Sequence, residues 1–219
     1  MKKVSIIGMG KIGKKYKKII DSLDYAEYSD VNDADYVIIS TPHKNHYDIG
    51  MKCLMMGYRT LVEKPMSMEK EEYQELSDAG AVTAFSKRYH GKINASKSIY
   101  WHANYLRDDS FYEGWRGEYD HILWNQCIHD FDLLIWSFGM PDVVWAKSDK
   151  RNIQCHLDFN GVVCEYKSTT EQDWETEFIL DGDKDKYPRN YHDKLIHDFL
   201  NDNLEKPTID VVNLIEELL

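Results

Sequence analysis

Residues Val4 to Ile7 form a short apolar run that ends in Gly8-Met9-Gly10-Lys11-Ile12-Gly13, and a helix-like stretch from Lys14 to Leu23 follows. That order is the strand, tight turn and helix of a parallel α/β sheet. The first glycine makes the turn, the second lets backbone approach a ligand, and the third packs helix on strand. The helix amino terminus adds free N–H groups and a partial positive charge, a chemistry that suits a pyrophosphate. Glycines at this spacing also occur in ordinary loops, so the pattern takes its weight from the strand before it and the helix after it. Lys11, Lys14 and Lys15 are close enough to the helix start to raise the potential at a phosphate, whereas Lys17 and Lys18 read as a solvated face.

The next segments extend this sheet. Tyr25 to Tyr28 reads as a short strand and Tyr36 to Ser40 as a better one, apolar as a strand covered on both faces should be. The stretch between them is too short for a crossover helix, which needs about a dozen residues, so the second β-α unit is cut short. The acid that holds an adenosine ribose stands about 20 positions beyond the glycines. Asp30 is the nearest candidate, while Asp33 and Asp35 read as caps. Neither NAD nor NADP is selected by this segment. Thr41-Pro42 closes the strand, a helix is predicted over Asn45 to Met56 with a stop at Gly57, and Thr60 to Val62 is a strand followed by Glu63-Lys64-Pro65. Ligands of open α/β sheets bind outside the carboxyl ends of strands, so Gly8 to Gly13, Thr41-Pro42 and Glu63-Lys64 are expected to converge on one crevice. The charged pair there suits chemistry; an ordinary surface ion pair is the plainer alternative. Met68 to Ala79 reads as a helix and Ala81 to Phe85 as a strand.

From residue 90 the pattern changes. Ile93 to Leu106, Ile153 to Phe159, Val162 to Lys167 and Trp174 to Leu180 read as strands, and Asn160-Gly161 is a two-residue hairpin signal. The fold class is therefore a trimmed α/β Rossmann-like domain over residues 1–90, followed by an α+β domain with a mostly antiparallel sheet over 91–219. Tyr191 to Leu200 and Val211 to Leu219 close the chain as helices. A helix is also predicted over Asn125 to Phe138. Ile128, Phe131, Leu134 or Ile135, and Phe138 make its apolar stripe; Asn125, His129, Asp132 and Trp136 share the neighbouring face. An amide, an imidazole and a carboxylate on a mostly apolar helix need partners, either structural or from a ligand.

At 219 residues with net charge -11, the chain can bury a sizeable core and repels nucleic acid over most of its surface. Cys53, Cys127, Cys155 and Cys164 form no C-x-x-C pair and read as reduced core thiols of a cytoplasmic protein. No stretch approaches the about 20 apolar residues of a membrane span. Asp181 to Asp185 lacks the glycine position and closing glutamate of a calcium loop, and His43 with His46 has no third ligand nearby, so no metal is expected.

Taken together, Gly8-x-Gly10-x-x-Gly13, Thr41-Pro42 with His46, Glu63-Lys64-Pro65, Lys87-Arg88, Gly91-Lys92-Ile93, Trp115-Arg116 and Asn125-x-x-x-His129-x-x-Asp132 resemble, in order, the Gfo/Idh/MocA oxidoreductases, the relatives of glucose-fructose oxidoreductase and inositol dehydrogenase. The closing pattern Tyr191 to Phe199, then Lys206-Pro207 and a last helix, is similar too. The resemblance implies hydride transfer between NAD or NADP and a carbon bearing a hydroxyl or ketone. It implies that Gly8, Gly10, Lys11, Ile12, Gly13, Thr41, Pro42, His46, Glu63, Lys64 and Arg88 hold the cofactor. Substrate would meet Lys64, Trp115, Arg116, Asn125, His129 and Tyr191. Lys64 would bond the reacting oxygen and stabilise developing alkoxide charge, and His129 would be the acid or base, since a group titrating near neutrality must take the hydroxyl proton. Asn125 would orient substrate.

Many members carry Asp-x-Gly-x-His where this chain has Asn125-Gln126-Cys127-Ile128-His129. The asparagine form is similar to members acting on nucleotide-linked amino sugars, such as the UDP-N-acetylglucosaminuronate 3-dehydrogenases. Members are usually longer, and here the second β-α unit and several strands are trimmed. The expected substrate is a sugar or nucleotide-sugar; reduction of a non-sugar ligand such as biliverdin and non-catalytic binding are the alternatives. A homo-oligomer, dimer or tetramer, is expected because a one-layer sheet needs its outer face covered.

Overall fold

A computed structural model describes residues 1–113, 121–205 and 208–219. Trp115, Arg116 and Lys206-Pro207 lie outside the described residues. Among those described, the strands are β1 (Lys2–Ile7), β2 (Ala26–Tyr28), β3 (Tyr36–Ile39), β4 (Arg59–Val62), β5 (Val82–Thr83), β6 (Ser98–Asn104), β7 (Asp142–Ser148), β8 (Asn152–Phe159), β9 (Val162–Thr169), β10 (Glu175–Leu180) and β11 (Asp183–Lys184). The helices are α1 (Lys11–Ile20), α2 (His46–Met55), α3 (Lys70–Asp78), α4 (Ile128–Phe138), α5 (His192–Leu200) and α6 (Asp210–Leu218).

The chain forms two compact units, Met1–Tyr89 with Asn190–Ile209, and His90–Arg189 with Asp210–Leu219. This division differs from a single cut near residue 90, because α5 returns to the first unit. There Leu195, Ile196, Phe199 and Leu200 join Val4, Ile6, Tyr16, Ile20, Tyr36 and Ile38 in one buried cluster. An amphipathic helix goes where its apolar stripe can be covered, whatever its place in the sequence.

The first unit is a five-stranded parallel sheet of order β2-β1-β3-β4-β5. Successive strand residues face opposite sides, so Ile38 lies in the cluster with α1 and α5, while Ile39 faces Gly50 of α2, 3.8 Å from where a Cβ on Gly50 would stand. Helices thus cover both faces, and β3 is buried throughout. Between β2 and β3 stands only a 3-10 turn, Val31–Asp33. Asp30 caps it, accepting from the Asn32 backbone N–H at 3.0 Å and from the Asn32 side chain at 2.9 Å. The second β-α unit is therefore short, and its nearest acid is engaged as a cap.

The second unit holds a six-stranded sheet of order β11-β10-β6-β9-β8-β7, antiparallel except for the β6–β9 pair. Phe159 pairs with Val162 across Asn160-Gly161. Both turn residues have positive φ, 54° and 95°, the combination that a two-residue hairpin of this twist demands. Trp101, Tyr166, Phe178 and Phe131 fill the core, with Trp101 and Phe178 ring centroids 4.8 Å apart and Phe131 and Tyr166 also 4.8 Å apart. β7 and β11 were not anticipated, and β6 is shorter than the predicted run from Ile93 to Leu106. Asp181 begins a turn whose carboxylate accepts from the backbone N–H groups of Ser96, Lys97 and Ser98 at 2.7–2.9 Å. Those bonds hold its carboxyl well below the usual range.

Candidate functional site

In the first unit the glycine-rich turn, the end of β3 and the end of β4 come together. Gly8 has φ +103°, and a Cβ there would stand 2.6 Å from the Ser40 carbonyl. A Cβ on Gly13 would stand 2.0 Å from the Gly8 oxygen. The fold itself therefore requires these two glycines. Gly10 is different: no atom lies within 4 Å of an added Cβ, so only an approaching ligand would profit from its bareness. No side chain caps α1 at Gly10, and its first turn carries no acid. Bare backbone and an uncapped amino terminus fit the pyrophosphate of a dinucleotide. Lys11 and Ile12 open α1 at this point, Lys11 exposed and Ile12 half-buried.

Ser40 fastens β3 to this turn, its hydroxyl donating to the Gly8 oxygen at 2.6 Å. Thr41-Pro42 follows, and His46, fully buried in the first turn of α2, ties the ends of two strands. Its Nδ1 is 2.7 Å from the Pro65 oxygen and its Nε2 is 2.9 Å from the Thr41 oxygen. Burial lowers its pKa, and the two carbonyls oppose that shift. With a carbonyl oxygen beside each ring nitrogen, His46 braces the two loops, its neutral ring donating one N–H to one of them.

Glu63 and Lys64 stand at the carboxyl end of β4, before a cis peptide to Pro65. Glu63 is no surface partner. One of its oxygens accepts from the buried Tyr16 hydroxyl and the other from the Lys64 backbone N–H at 3.2 Å. Burial raises its carboxyl, and Tyr16, Lys64 and Lys15 oppose the shift. Burial and the neighbouring carboxylate also push the Tyr16 phenol well up. Lys15 lies 2.9 Å from Nδ1 of His192, the first residue of α5. Burial, then Lys15, lowers His192 to about 4, so near neutrality its ring is neutral and accepts from the lysine. Tyr191 caps α5 and donates its N–H to the Ser86 oxygen. Arg88 pairs with Glu205 at 3.7 Å and lies over the Phe85 ring. Sequence reasoning missed Tyr16, Ser40 and His192. The first was legible as the buried-face position three residues after Gly13; His192 had no signal, since nothing in the sequence says that α5 returns to this sheet.

The second unit carries Asn125, His129 and Asp132. The predicted single α-helix over Asn125 to Phe138 is in fact two windings: a π-helical turn, Leu123–Cys127, and then α4. The Ile128 N–H reaches back to the Leu123 oxygen. The winding therefore changes between Asn125 and His129, where the sequence predicts one continuous α-helix. Such turns occur frequently at functional sites. His129 and Asp132 are 9% and 3% exposed. The most buried acid is Asp130, at 0%, which accepts from the Tyr166 hydroxyl at 2.8 Å. It too was missed, although every residue from Ile128 to Ile135 is buried, and an acid in such a helix must find a donor. Cys127 is buried and its thiol pushed up by desolvation and Asp130. No helix is long and apolar enough to cross a membrane, and no His/Cys/Asp/Glu group is arranged for a metal, among the described residues.

Residues 18–83 match the model of an oxidoreductase family with an NAD-binding Rossmann fold, Gfo/Idh/MocA. No curated protein matches the sequence. Among solved structures, the WlbA (WbpB) dehydrogenase from Thermus thermophilus, in complex with NAD and alpha-ketoglutarate, has TM-score 0.81 at 18% identity, covering 100% of this chain and 96% of that one. The WlbA dehydrogenase from Bordetella pertussis, in complex with NADH and UDP-GlcNAcA, has TM-score 0.77 at 17% identity over 99% and 95%. A myo-inositol dehydrogenase from Corynebacterium glutamicum has TM-score 0.74 at 13% identity over 99% and 94%. At these identities the likeness is one of fold.

Proposed function

Because the chain carries, in residues 18–83, the NAD-binding Rossmann fold of the Gfo/Idh/MocA oxidoreductases, we propose that it is an NAD-dependent dehydrogenase or reductase acting on a CH–OH group of a sugar or nucleotide-linked sugar. The observation that carries this reading is Gly10, bare where the fold does not need it, together with Lys64 at the end of a strand of the same sheet. Nicotinamide supplies the hydride acceptor or donor when bound. Gly8 to Gly13 and the start of α1 take the pyrophosphate; Thr41, Pro42 and the His46 brace line the next strand end. Lys64 donates to the reacting oxygen and favours its anionic form. His129 takes the hydroxyl proton during oxidation and returns it during reduction, and Asn125, which cannot take a proton, orients substrate by hydrogen bonds. Trp115, Arg116 and Tyr191 complete the substrate contacts, and Arg88 the cofactor contacts, in this reading. The nucleotide-sugar preference rests on Asn125 standing where many members have aspartate, and on the fold shared with dehydrogenases crystallised with UDP-GlcNAcA.

Titration of NADH and NADPH by fluorescence, followed by a screen of UDP-sugars and inositols at the nicotinamide absorbance band, tests the reading. Lys64→Ala and His129→Ala should keep the fold and lose about a hundredfold or more in turnover. Unchanged rates in both would sink it. A non-catalytic dinucleotide-binding protein is the second reading. The shortened β2–β3 link and the engagement of Asp30 as a cap favour it, and NADH binding without turnover on any substrate would select it. The outer face of the second sheet mixes Tyr100, His102, His156 and Trp145 with Glu165, Lys167 and Glu177, and a homo-oligomer covering it is a proposal that solution mass would decide.

A further inference from the structure

The main chain on either side of Lys64 is gripped. Before it, the Lys64 N–H is held by Glu63, and after it, the Pro65 oxygen is held by His46. The first grip has an anchor of its own, since the other Glu63 oxygen accepts from Tyr16. Tyr16 belongs to α1, three residues beyond Gly13, and its ring is fully buried beside Val4, Ile20, Ile38 and Leu61. Two hydrogen bonds therefore join the helix that follows the glycine-rich turn to the backbone of the candidate catalytic lysine. Lys15 faces Glu63 from the same helix and is engaged with His192 of α5.

We propose that Tyr16 and Glu63 are positioning residues for Lys64, linking the pyrophosphate-binding helix to the peptide that carries the lysine. The inference rests on the NAD-dependent reading above. A carboxylate that accepts from a fixed phenol and from a main-chain N–H sets the direction in which the next side chain leaves the strand. Misplacement of a catalytic group by about an ångström is costly, roughly a hundredfold in rate. Tyr16 touches neither substrate nor cofactor in this scheme and acts only through Glu63 and Lys64.

A purely structural role makes a different prediction, because Tyr16→Phe keeps the ring that fills the core. The test is a double-mutant cycle on NADH affinity, read by fluorescence titration of the wild type, Tyr16→Phe, Lys64→Ala and the double variant, with a thermal melt of each. Tyr16→Phe should weaken NADH binding about fivefold when Lys64 is present, the effect of about one hydrogen bond, and leave the affinity of the Lys64→Ala protein unchanged. Its turnover should fall about tenfold through kcat, with the substrate KM little altered. No loss of affinity, or an equal loss in both backgrounds, overturns the positioning role while leaving the NAD reading intact. A wild-type protein that does not bind NADH overturns both. If Tyr16→Phe does not fold, Glu63→Gln takes its place in the same cycle; its amide oxygen still accepts one bond, so it should lose less than Glu63→Ala.

Discussion

The two units hold their buried polar groups by different means. In the first, the groups at the strand ends are tied largely to main chain: Ser40 to the Gly8 oxygen, His46 to the oxygens of Thr41 and Pro65, Glu63 to the Lys64 N–H. In the second, the serines Ser168 and Ser137 are also tied to main chain, but the phenols are tied to other side chains, Tyr166 to Asp130 at 2.8 Å, Tyr105 to Tyr187 at 2.5 Å and Tyr112 to Thr170 at 2.7 Å. A main-chain partner cannot be substituted away and moves only with its sheet. A side-chain partner depends on two residues at once, and the loss of either leaves a buried polar atom without its bond. The first arrangement suits a fixed cofactor frame. The second ties stability to individual side chains.

Removing one phenol from each unit should separate these roles. Tyr166→Phe should cost about 1 kcal/mol of stability, because the fully buried Asp130 loses the Tyr166 hydroxyl as one of its partners; urea midpoints would read it, and a loss below about 0.5 kcal/mol would mean that this bond adds little to the other interactions of Asp130. Tyr16→Phe, by contrast, should show mainly in cofactor affinity. A smaller effect concerns acid. His192 is lowered from its ordinary 6.5 to about 4 by burial and Lys15, so the unfolded chain binds this proton first. The stability that depends on the neutral ring is complete above about 6.5 and drains away as pH falls toward about 4. His192→Gln should flatten the fall in stability measured between pH 7 and pH 5, leaving the share due to His46, which burial shifts in the same direction. An unchanged slope would place the ring in solvent. Smallest of all, Asp30→Ala should cost less than about 1 kcal/mol, the value of a cap, and leave NADH affinity unaltered. A marked loss of affinity would return Asp30 to the ribose.

What could be read from the sequence divides along the same line. β1, the glycine turn and α1 were legible because three glycines, a short apolar run and a helix pattern agree, and the Asn160-Gly161 hairpin because few other dipeptides accept two positive φ angles. Lys64 and Glu63 stood out as charges stopped by a proline. β7 was not legible: a register shift between Val143 and Trp145 breaks its alternation, and Val144 and Trp145 are both exposed. The π turn was hidden because its hydrogen bonds, not its residue types, define it. Asp130 and His192 were hidden because a buried polar residue is chosen by its partner, and both partners lie far along the chain.

The return of α5 to the first unit has a consequence for synthesis. The five strands of the parallel sheet leave the ribosome early, yet Leu195, Ile196, Phe199 and Leu200, which cover one of its faces, follow only after the whole intervening unit from His90 to Arg189. At the usual pace of translation that delay is on the order of 5–20 s. For that interval Val4, Ile6, Tyr36 and Ile38 lack part of their cover. The nascent chain is most exposed to aggregation while its second unit is still being made.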